Sequence, residues 1–112
     1  NRVEVRVADI ANGIEEREVD AVVLDIADPW TVVSVGWDAL RVGGAFAAFS
    51  PNVEQVRQTV QALAEPPFVE VRTIEVIERE LEVRELGTRP SQAPLGHTGY
   101  ITTARKALDR FI

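Results

Sequence analysis

The 112-residue sequence contains no cysteine, so it forms neither disulfide bonds nor metal sites with thiolate ligands. Its only histidine is His97, which excludes a site built from several histidines, and we expect no bound metal. The chain also lacks an apolar run long enough to span a membrane and a charged-then-apolar leader. These absences favour a cytoplasmic protein without a membrane partner.

The composition that remains is typical of a soluble globular protein. Hydrophobic residues make up 46% of the chain and charged residues 27%, which fits one folded domain over residues 1–112. The first residue is Asn1 rather than Met, and a strand-like run begins two residues later. We interpret this start as a sign that the chain is an excised or processed piece of a longer polypeptide.

Charge is distributed unevenly along the chain. The formal net charge of −6 argues against a nucleic-acid partner, because binding to phosphates requires Lys and Arg. Residues 1–70 carry 12 acidic and 5 basic side chains, however, whereas residues 83–112 carry two acidic and five basic ones. The later region therefore has a local positive balance that the total conceals.

Apolar periodicity predicts alternating strands and helices, followed by two long strands. The expected elements are strands over residues 3–7 and 21–26, a helix over 28–41 ended by Gly43-Gly44, a strand over 45–49, a helix that begins at Asn52 and stops at Pro66-Pro67, and strands over 68–84 and 100–104. The alternation changes phase near residues 73–76, which predicts a bulge or twist there. Residues 87–96 are rich in Gly, Pro, Ser and Thr and predict a mobile surface loop.

The stretch D-I-A-D-P-W, residues 25–30, is the strongest candidate for a functional site. Asp25 lies at the carboxyl end of a buried strand, where open α/β sheets bind their ligands. We expect the Asp28 side chain to act as an N-cap, and Pro29 suits the first helical position because its missing N–H would be unpaired there. Trp30 adds an aromatic surface, so a carboxylate, a rigid turn and a ring are expected to converge.

Four motifs in chain order resemble those of one enzyme superfamily. Residues 40–44, L-R-V-G-G before a strand, resemble the helix-to-strand turn of class I S-adenosylmethionine-dependent methyltransferases. Within that superfamily, residues 25–30 resemble the D-x-P-x-P-W motif of the tRNA (adenine-N1)-methyltransferases. Pro51-Asn52 with Gln55-Val56 resembles the turn after their fifth strand, and Arg89-Pro90 with residues 96–100 resembles their closing signature. The sequence departs from the family at Ala27, where the motif has its first Pro, and at Phe49, where relatives often have Tyr.

The resemblance implies an α/β fold with a partial Rossmann-like methyltransferase sheet, mostly parallel with a late antiparallel strand pair and flanked by helices. It covers only the C-terminal part of the family's catalytic domain, whose strand order is 3-2-1-4-5-7-6. The first two strands and the glycine-rich loop that cradles the cofactor are missing. The strand over residues 3–7 is therefore expected to be displaced against 21–26, to be loose, or to pair with a second copy. We expect the isolated chain to be inactive and to form a homo-oligomer through the sheet edge or the long strand pair.

The implied function is S-adenosylmethionine-dependent methylation of adenine N1 in the T-loop of tRNA, at position 58 in the family. Asp25 is expected to accept a hydrogen bond from the exocyclic amino group and to stabilise the cationic ring that forms on methylation. Asp9 and Ile10 lie where the superfamily contacts the adenine of the cofactor. A turn-forming role is an equal alternative for Asp9.

Trp30 and Phe49 are expected to stack on a flipped target base, and core packing is the alternative for both rings. Arg84, Arg89, Arg105 and Lys106 are the candidates for contacts with tRNA phosphates, and ordinary surface charge is their alternative. The sole histidine, His97, is interpreted as part of a His-Thr-Gly turn rather than as a catalytic group.

A second class of function stays open beside the enzyme. The chain is then a non-catalytic assembly or tRNA-binding module of the same ancestry, which uses its strand pair to join a partner that holds the cofactor. A methyltransferase with another substrate is a third possibility, because the fold does not fix the substrate.

Overall fold

A computed structural model describes residues 2–90 and 96–108 of the chain. The strands are β1 (Val19–Leu24), β2 (Leu40–Ser50), β3 (Phe68–Glu78), β4 (Leu81–Arg84), β5 (Gly87–Pro90) and β6 (Gly96–Lys106). The helices are α1 (Val33–Ala39) and α2 (Val53–Ala62), and short 3-10 turns cover Ile10–Asn12 and Pro29–Val32. In these two ranges the helices are too short or too polar to cross a bilayer.

Four of the strands form one mixed sheet in the order β1-β2-β6-β3. β1 and β2 are parallel, whereas β6 runs antiparallel to β2 on one side and to β3 on the other. β4 and β5 form a separate antiparallel hairpin. Helix α1 packs on β1 and β2, and α2 packs on β2 and β6. The predicted α/β class, with flanking helices and a late antiparallel strand pair, is confirmed.

The hydrophobic core lies between the helices and one face of this sheet. Leu24, Phe46 and Ala48 project to that face and are almost fully buried, together with Val33 of α1. The centroids of the Phe46 and Phe68 rings lie 5.4 Å apart, and the rings are tilted, an arrangement that aromatic pairs prefer. Val23, which alternates to the other face, is 75% exposed. The core therefore holds the helices against the sheet on one side only.

The expected helix over residues 28–41 is wrong in its length and in its end. A 3-10 turn begins at Pro29 and α1 ends at Ala39, so the Gly43-Gly44 pair lies inside β2. There Leu40 is opposite Val19 and Ala45 is opposite Ala21, which leaves four residues of β2 facing one residue of β1. A Cβ on Gly44 would lie 2.7 Å from the Arg41 carbonyl oxygen, so the bulge requires glycine at this position.

The expected strand over residues 3–7 does not form, which corresponds to the loose arrangement among the three alternatives. Residues 2–8 have no regular secondary structure, and Val3, Val5 and Val7 are 88%, 84% and 103% exposed. They do not pair with β1, although β1 is an edge strand and one side of its backbone is unpaired in the described ranges. A period-two pattern stabilises a strand only when a partner takes up its backbone hydrogen bonds.

The long strand expected over residues 68–84 is divided in two. β3 ends at Glu78, and β4 turns away to pair with β5. The pairing of β3 with β6 is irregular between Val69 and Arg72 and again between Val76 and Ile77, the second irregularity lying at the border of the predicted bulge. The loop expected over residues 87–96 is wrong for its first four residues, which form β5, and residues 91–95 lie outside the described part.

Candidate active site at the carboxyl ends of β1 and β2

Asp25 follows the last residue of β1 directly and is exposed. Leu24 is opposite Ala48 in the parallel pair, so the chain leaves β1 beside the carboxyl end of β2. Within the part of the chain that the structure describes, the Asp25 carboxylate makes no hydrogen bond or ion pair. The arrangement leaves an accessible acceptor at the sheet edge where α/β proteins bind ligands.

The turn after Asp25 is built by backbone rather than by a carboxylate cap. The Asp28 side chain makes no capping hydrogen bond, so the expected N-cap role is wrong. The backbone carbonyl oxygen of Asp28 instead accepts hydrogen bonds from the backbone N–H of Thr31 (3.0 Å) and from the Thr31 hydroxyl (2.7 Å). Pro29 occupies the first position of the 3-10 turn and is buried, and Trp30 beside it is half-buried.

Helix α2 packs against this turn and also reaches it with one side-chain hydrogen bond. The amide nitrogen Nε2 of Gln55 donates a 2.9 Å hydrogen bond to the carbonyl oxygen of Ala27, which is 28 residues away in the sequence. The Asn52 side chain caps the helix by accepting from the Gln55 N–H at 2.9 Å, as its sequence position predicts. Asn52 and Gln55 have the sequence spacing of a capping box, a pattern that does not reveal the contact of Gln55 with Ala27.

Two buried polar atoms at this edge have no hydrogen-bond partner within residues 2–90 and 96–108. They are the hydroxyl oxygen of Ser50, which ends β2 and is fully buried, and the amide oxygen of Gln55. Buried polar atoms in folded proteins are almost always paired. No sequence signal distinguished Ser50 from an ordinary strand end.

Phe49 lies on β2, one residue before the carboxyl end of the strand at Ser50. Its ring packs on Gly99 of β6 so closely that a Cβ there would lie 2.5 Å from the ring atom Cε1. Gly99 has φ of +151°, a backbone conformation that other residues rarely adopt. Phe49 itself is half-buried, so part of its ring is accessible.

Asp9 and Ile10 lie at the same end of the molecule, because the 3-10 turn at residues 10–12 packs against the one at 29–32. One carboxylate oxygen of Asp9 accepts a hydrogen bond from the Ala11 N–H at 2.9 Å, which is the turn-forming role that the sequence left open. Both residues line an open cavity of about 310 Å³, and Ile10 is half-buried against the core.

Arg6 at the rim of this cavity is neutralised by acidic neighbours. Its guanidinium lies 2.6 Å from Glu16 and 2.8 Å from Glu4. The hydrogen bond from Arg6 lowers the pKa of the Glu16 carboxyl below its ordinary value. The cavity beside Asp9 therefore has little net positive charge from Arg6.

The four basic candidates are divided between the two ends of the sheet: Arg105 and Lys106 lie at the end opposite this edge, whereas the hairpin that carries Arg84 and Arg89 follows the carboxyl end of β3, which is parallel to β2. Arg105 and Lys106 are at the far end of β6, where Arg105 donates to the Gly43 carbonyl at 3.1 Å. The Lys106 ammonium donates to the Leu40 carbonyl at 2.9 Å and lies 3.9 Å above the centre of the Trp37 ring. Arg84 on the hairpin pairs with Glu82 at 2.7 Å, and the side chain of Arg89 lies outside the described part. The structure thus separates Arg105 and Lys106 from the acidic and aromatic candidates, which lie at or near the carboxyl ends of β1 and β2.

Metal-binding geometry is not found at this edge. In the described ranges no three His, Asp or Glu side chains are grouped so that they could hold an ion. The chemistry available is therefore that of an exposed carboxylate, two aromatic rings and a fixed turn.

The sequence matches one family model and is similar to several tRNA (adenine-N1)-methyltransferases. The family model of the tRNA methyltransferase complex GCD14 subunit matches residues 1–89. The chain is 45% identical over 109 residues to the tRNA (adenine(57)-N(1)/adenine(58)-N(1))-methyltransferase TrmI of Methanocaldococcus jannaschii, covering 94% of this chain and 39% of that protein. It is 36% identical over 93 residues to a tRNA (adenine(58)-N(1))-methyltransferase TrmI of Thermus thermophilus, covering 83% of this chain and 36% of that protein.

A solved structure has the same fold. An S-adenosylmethionine-dependent O-methyltransferase from Thermotoga maritima superposes with a TM-score of 0.88 at 37% sequence identity. The match covers 97% of this chain and 41% of that one. The chain thus spans about two fifths of the length of the proteins it matches.

Proposed function

The chain belongs to the family of the tRNA methyltransferase complex GCD14 subunit, and from that membership we propose that it forms the C-terminal part of an S-adenosylmethionine-dependent tRNA (adenine-N1)-methyltransferase domain. The observation that carries the proposal is the placement of the D-I-A-D-P-W turn, with Asp25 exposed at the carboxyl end of the parallel pair β1 and β2. One TrmI relative is named for adenine N1 at positions 57 and 58, and the other for position 58 alone. Position 58 in the T-loop is accordingly the proposed target.

Asp25 is the proposed catalytic residue because methylation creates positive charge on the base. The lone pair of adenine N1 forms the new bond to the methyl carbon, and the electron pair of the breaking carbon–sulfur bond stays on sulfur. The exocyclic amino group becomes a stronger hydrogen-bond donor as the ring becomes cationic. A carboxylate that accepts from this amino group orients N1 and stabilises the developing charge, without having to remove a proton first.

The residues near Asp9 fit the adenine end of the cofactor. Asp9 uses one carboxylate oxygen to hold its own turn, so the second oxygen is available as an acceptor for an amino group. Ile10 offers an apolar surface at the edge of a cavity of about 310 Å³. When bound there, S-adenosylmethionine supplies an electrophilic methyl group. The sequence contains no glycine-rich loop to hold its methionine end, so we propose that this loop comes from the rest of the family's domain.

Trp30 and Phe49 are the proposed stacking surfaces for the flipped adenine. Both rings are half-buried, so each combines a fixed position with an accessible part. Contacts with tRNA phosphates are proposed for Arg84, Arg89, Arg105 and Lys106. Arg105 and Lys106 must exchange the internal carbonyl contacts that they make in this structure for such contacts. A cytoplasmic location is part of the same proposal.

A homo-oligomer is proposed through the edge of β1 or through the long strand pair. The hairpin of β4 and β5 supports the second surface, since Leu81, Val83 and Leu86 are 58%, 78% and 101% exposed. Apolar side chains clustered on a two-stranded hairpin are typical of an interaction surface. The same observation favours the second candidate function, an assembly module that joins a cofactor-binding partner.

Product analysis tests the proposed activity. The complete catalytic domain, with this chain as its C-terminal part, is incubated with S-adenosylmethionine and an unmodified tRNA transcript, and the nucleosides are identified by mass spectrometry. We expect N1-methyladenosine from the wild-type transcript and none from a transcript with guanine at position 58. The proposal is wrong if no methyl group is transferred or if the methyl group is found on another atom. Lack of cofactor binding in the same domain favours the assembly module.

A further inference from the structure

We propose that Gln55 is a positioning residue for the turn that carries Asp25, an inference that rests on the proposed function. The contact that carries it is the 2.9 Å hydrogen bond from Gln55 Nε2 to the Ala27 carbonyl oxygen. Ala27 lies two residues after Asp25 and directly before Asp28. Gln55 therefore ties the first turn of α2 to the backbone from which the catalytic carboxylate projects.

The residues between Asp25 and the buried Pro29 are restrained mainly by Ile26, which packs against the core. Asp25, Ala27 and Asp28 are all exposed, and Ile26 is half-buried. The hydrogen bonds to the Asp28 carbonyl come from within the turn, so they shape it without fixing it to the sheet or to α2. The Gln55 contact is the side-chain hydrogen bond that joins this backbone to a separate element, and it adds to the packing of Ile26 and Pro29.

The backbone N–H and the backbone carbonyl oxygen of Gln55 each make a hydrogen bond to a side chain. Its N–H donates to the Asn52 side chain at 2.9 Å, and its carbonyl oxygen accepts from the Thr59 hydroxyl at 2.9 Å. Thr59 is fully buried, which anchors this part of the helix in the interior. The side chain therefore starts from a fixed backbone.

The orientation of the Gln55 amide is also determined. Reversing the amide would bring its oxygen against the Ala27 carbonyl oxygen, two acceptors that repel each other. With Nε2 on Ala27, the amide oxygen is buried and has no donor in the described part of the chain. An acceptor left unpaired is unfavourable and partly offsets the stabilisation from the Nε2 hydrogen bond.

Loss of this contact is expected to slow methyl transfer more than it weakens binding. Displacement of a reacting group by about 1 Å lowers rates by about 100-fold. The cofactor candidates Asp9 and Ile10 line a cavity formed by residues 6–16, to which Gln55 does not contribute, so affinity for S-adenosylmethionine is expected to be preserved. Replacing Gln55 should therefore lower kcat and leave the KM for the cofactor unchanged.

The test compares three variants of the complete catalytic domain. Gln55→Met keeps the length and helix preference of the side chain but removes the donor, and Gln55→Asn keeps the amide on a chain too short to reach Ala27. Gln61→Met on the exposed side of α2 is the matched control. We expect both Gln55 variants to lower the single-turnover rate by about 10- to 100-fold, with cofactor KM unchanged, and the control to match the wild type.

Amide hydrogen exchange gives a readout that does not depend on activity. The Gln55 variants should exchange faster at residues 25–31 and at wild-type rates in β2 and β6, whereas Gln61→Met should not differ. Wild-type kcat in a folded Gln55→Met domain overturns the proposal, as does unchanged exchange at the turn. If the wild-type domain transfers no methyl group, the proposed function fails, and the exchange measurement alone still decides whether Gln55 holds the turn.

Discussion

Substitution of Gly99 by alanine measures how tightly Phe49 is held beside the site. A Cβ on Gly99 would lie 2.5 Å from Cε1 of the Phe49 ring and 3.1 Å from the Ser50 carbonyl oxygen. The ring must move to make room, because real carbon atoms do not approach so closely. Gly99→Ala therefore displaces a proposed stacking surface as well as straining the backbone at φ +151°.

The size of the effect follows from two separate contributions. Alanine at this backbone conformation costs about 1–3 kcal/mol, and overpacking against the ring costs about another 1–3 kcal/mol. Gly87→Ala is a matched control, since its φ is +153° and a Cβ there meets nothing within 4 Å. It should show the backbone contribution without the ring contribution.

Urea denaturation of the complete catalytic domain gives the free energies of unfolding for a double-mutant cycle. We expect Gly99→Ala to cost more when Phe49 is present than in a Phe49→Leu background, because the smaller side chain leaves space for the methyl group. The coupling energy between the two substitutions should exceed about 0.5 kcal/mol, because the effects of independent sites add to within about that amount. Additive effects, or a Gly99→Ala effect equal to that of Gly87→Ala, would refute the close packing of Phe49 on Gly99.

Two further predictions concern the elements around the site. Asn52→Ala removes the cap of α2 and should lower the free energy of unfolding by about 1 kcal/mol, whereas Asn52→Asp retains the acceptor and should cost less; equal losses in urea denaturation would contradict the capping hydrogen bond. Since Arg6 lowers the pKa of Glu16, the folded protein gains stability from this pair above the ordinary carboxyl pKa and loses it as the pH falls through the lowered value. Glu16→Gln should therefore destabilise the protein slightly at neutral pH and not at acid pH, and a difference that persists in acid would count against the pair.

Features that depend on residues close together in the sequence could be predicted from the sequence. The Asn52 cap and the position of Asp25 directly after a strand follow from side-chain chemistry and apolar pattern within a few residues, and both are found in the structure. The strand is not the buried one that the pattern predicted, because β1 is an edge strand and its Val23 is 75% exposed. The α/β class follows from the order of these elements. Sequence alone was adequate here because each feature is determined by contacts within one turn or one strand.

Features that depend on distant partners were not predictable in the same way. The pattern of Val3, Val5 and Val7 is that of a strand, yet a strand requires a paired neighbour, and these residues do not pair with the open edge of β1. The Gly43-Gly44 pair resembles a helix end but forms a bulge, because β2 begins earlier and must match β1. In each case the outcome depends on pairing between strands that the local pattern does not encode.

The site was predicted in part for the same reason. Asp25, Asp9 and Trp30 come together through the ends of strands and the packing of two 3-10 turns, which the α/β topology implies. The Gln55 contact with Ala27 joins residues 28 positions apart, and the contact of Lys106 with Trp37 joins two ends of the fold. Only the folded structure shows that these polar groups have partners.

The role of Asp25 is tested most directly by the single-turnover rate of methyl transfer to tRNA at saturating cofactor. Asp25→Asn in the complete catalytic domain keeps the size of the side chain and removes its charge, and Asp38→Asn on the exposed surface of α1 makes the same change away from the site. We expect Asp25→Asn to lower the rate by roughly 100- to 1000-fold, the usual effect of removing one group that stabilises developing charge, and Asp38→Asn to leave it unchanged. A rate for Asp25→Asn equal to that of the wild type would contradict the proposed mechanism.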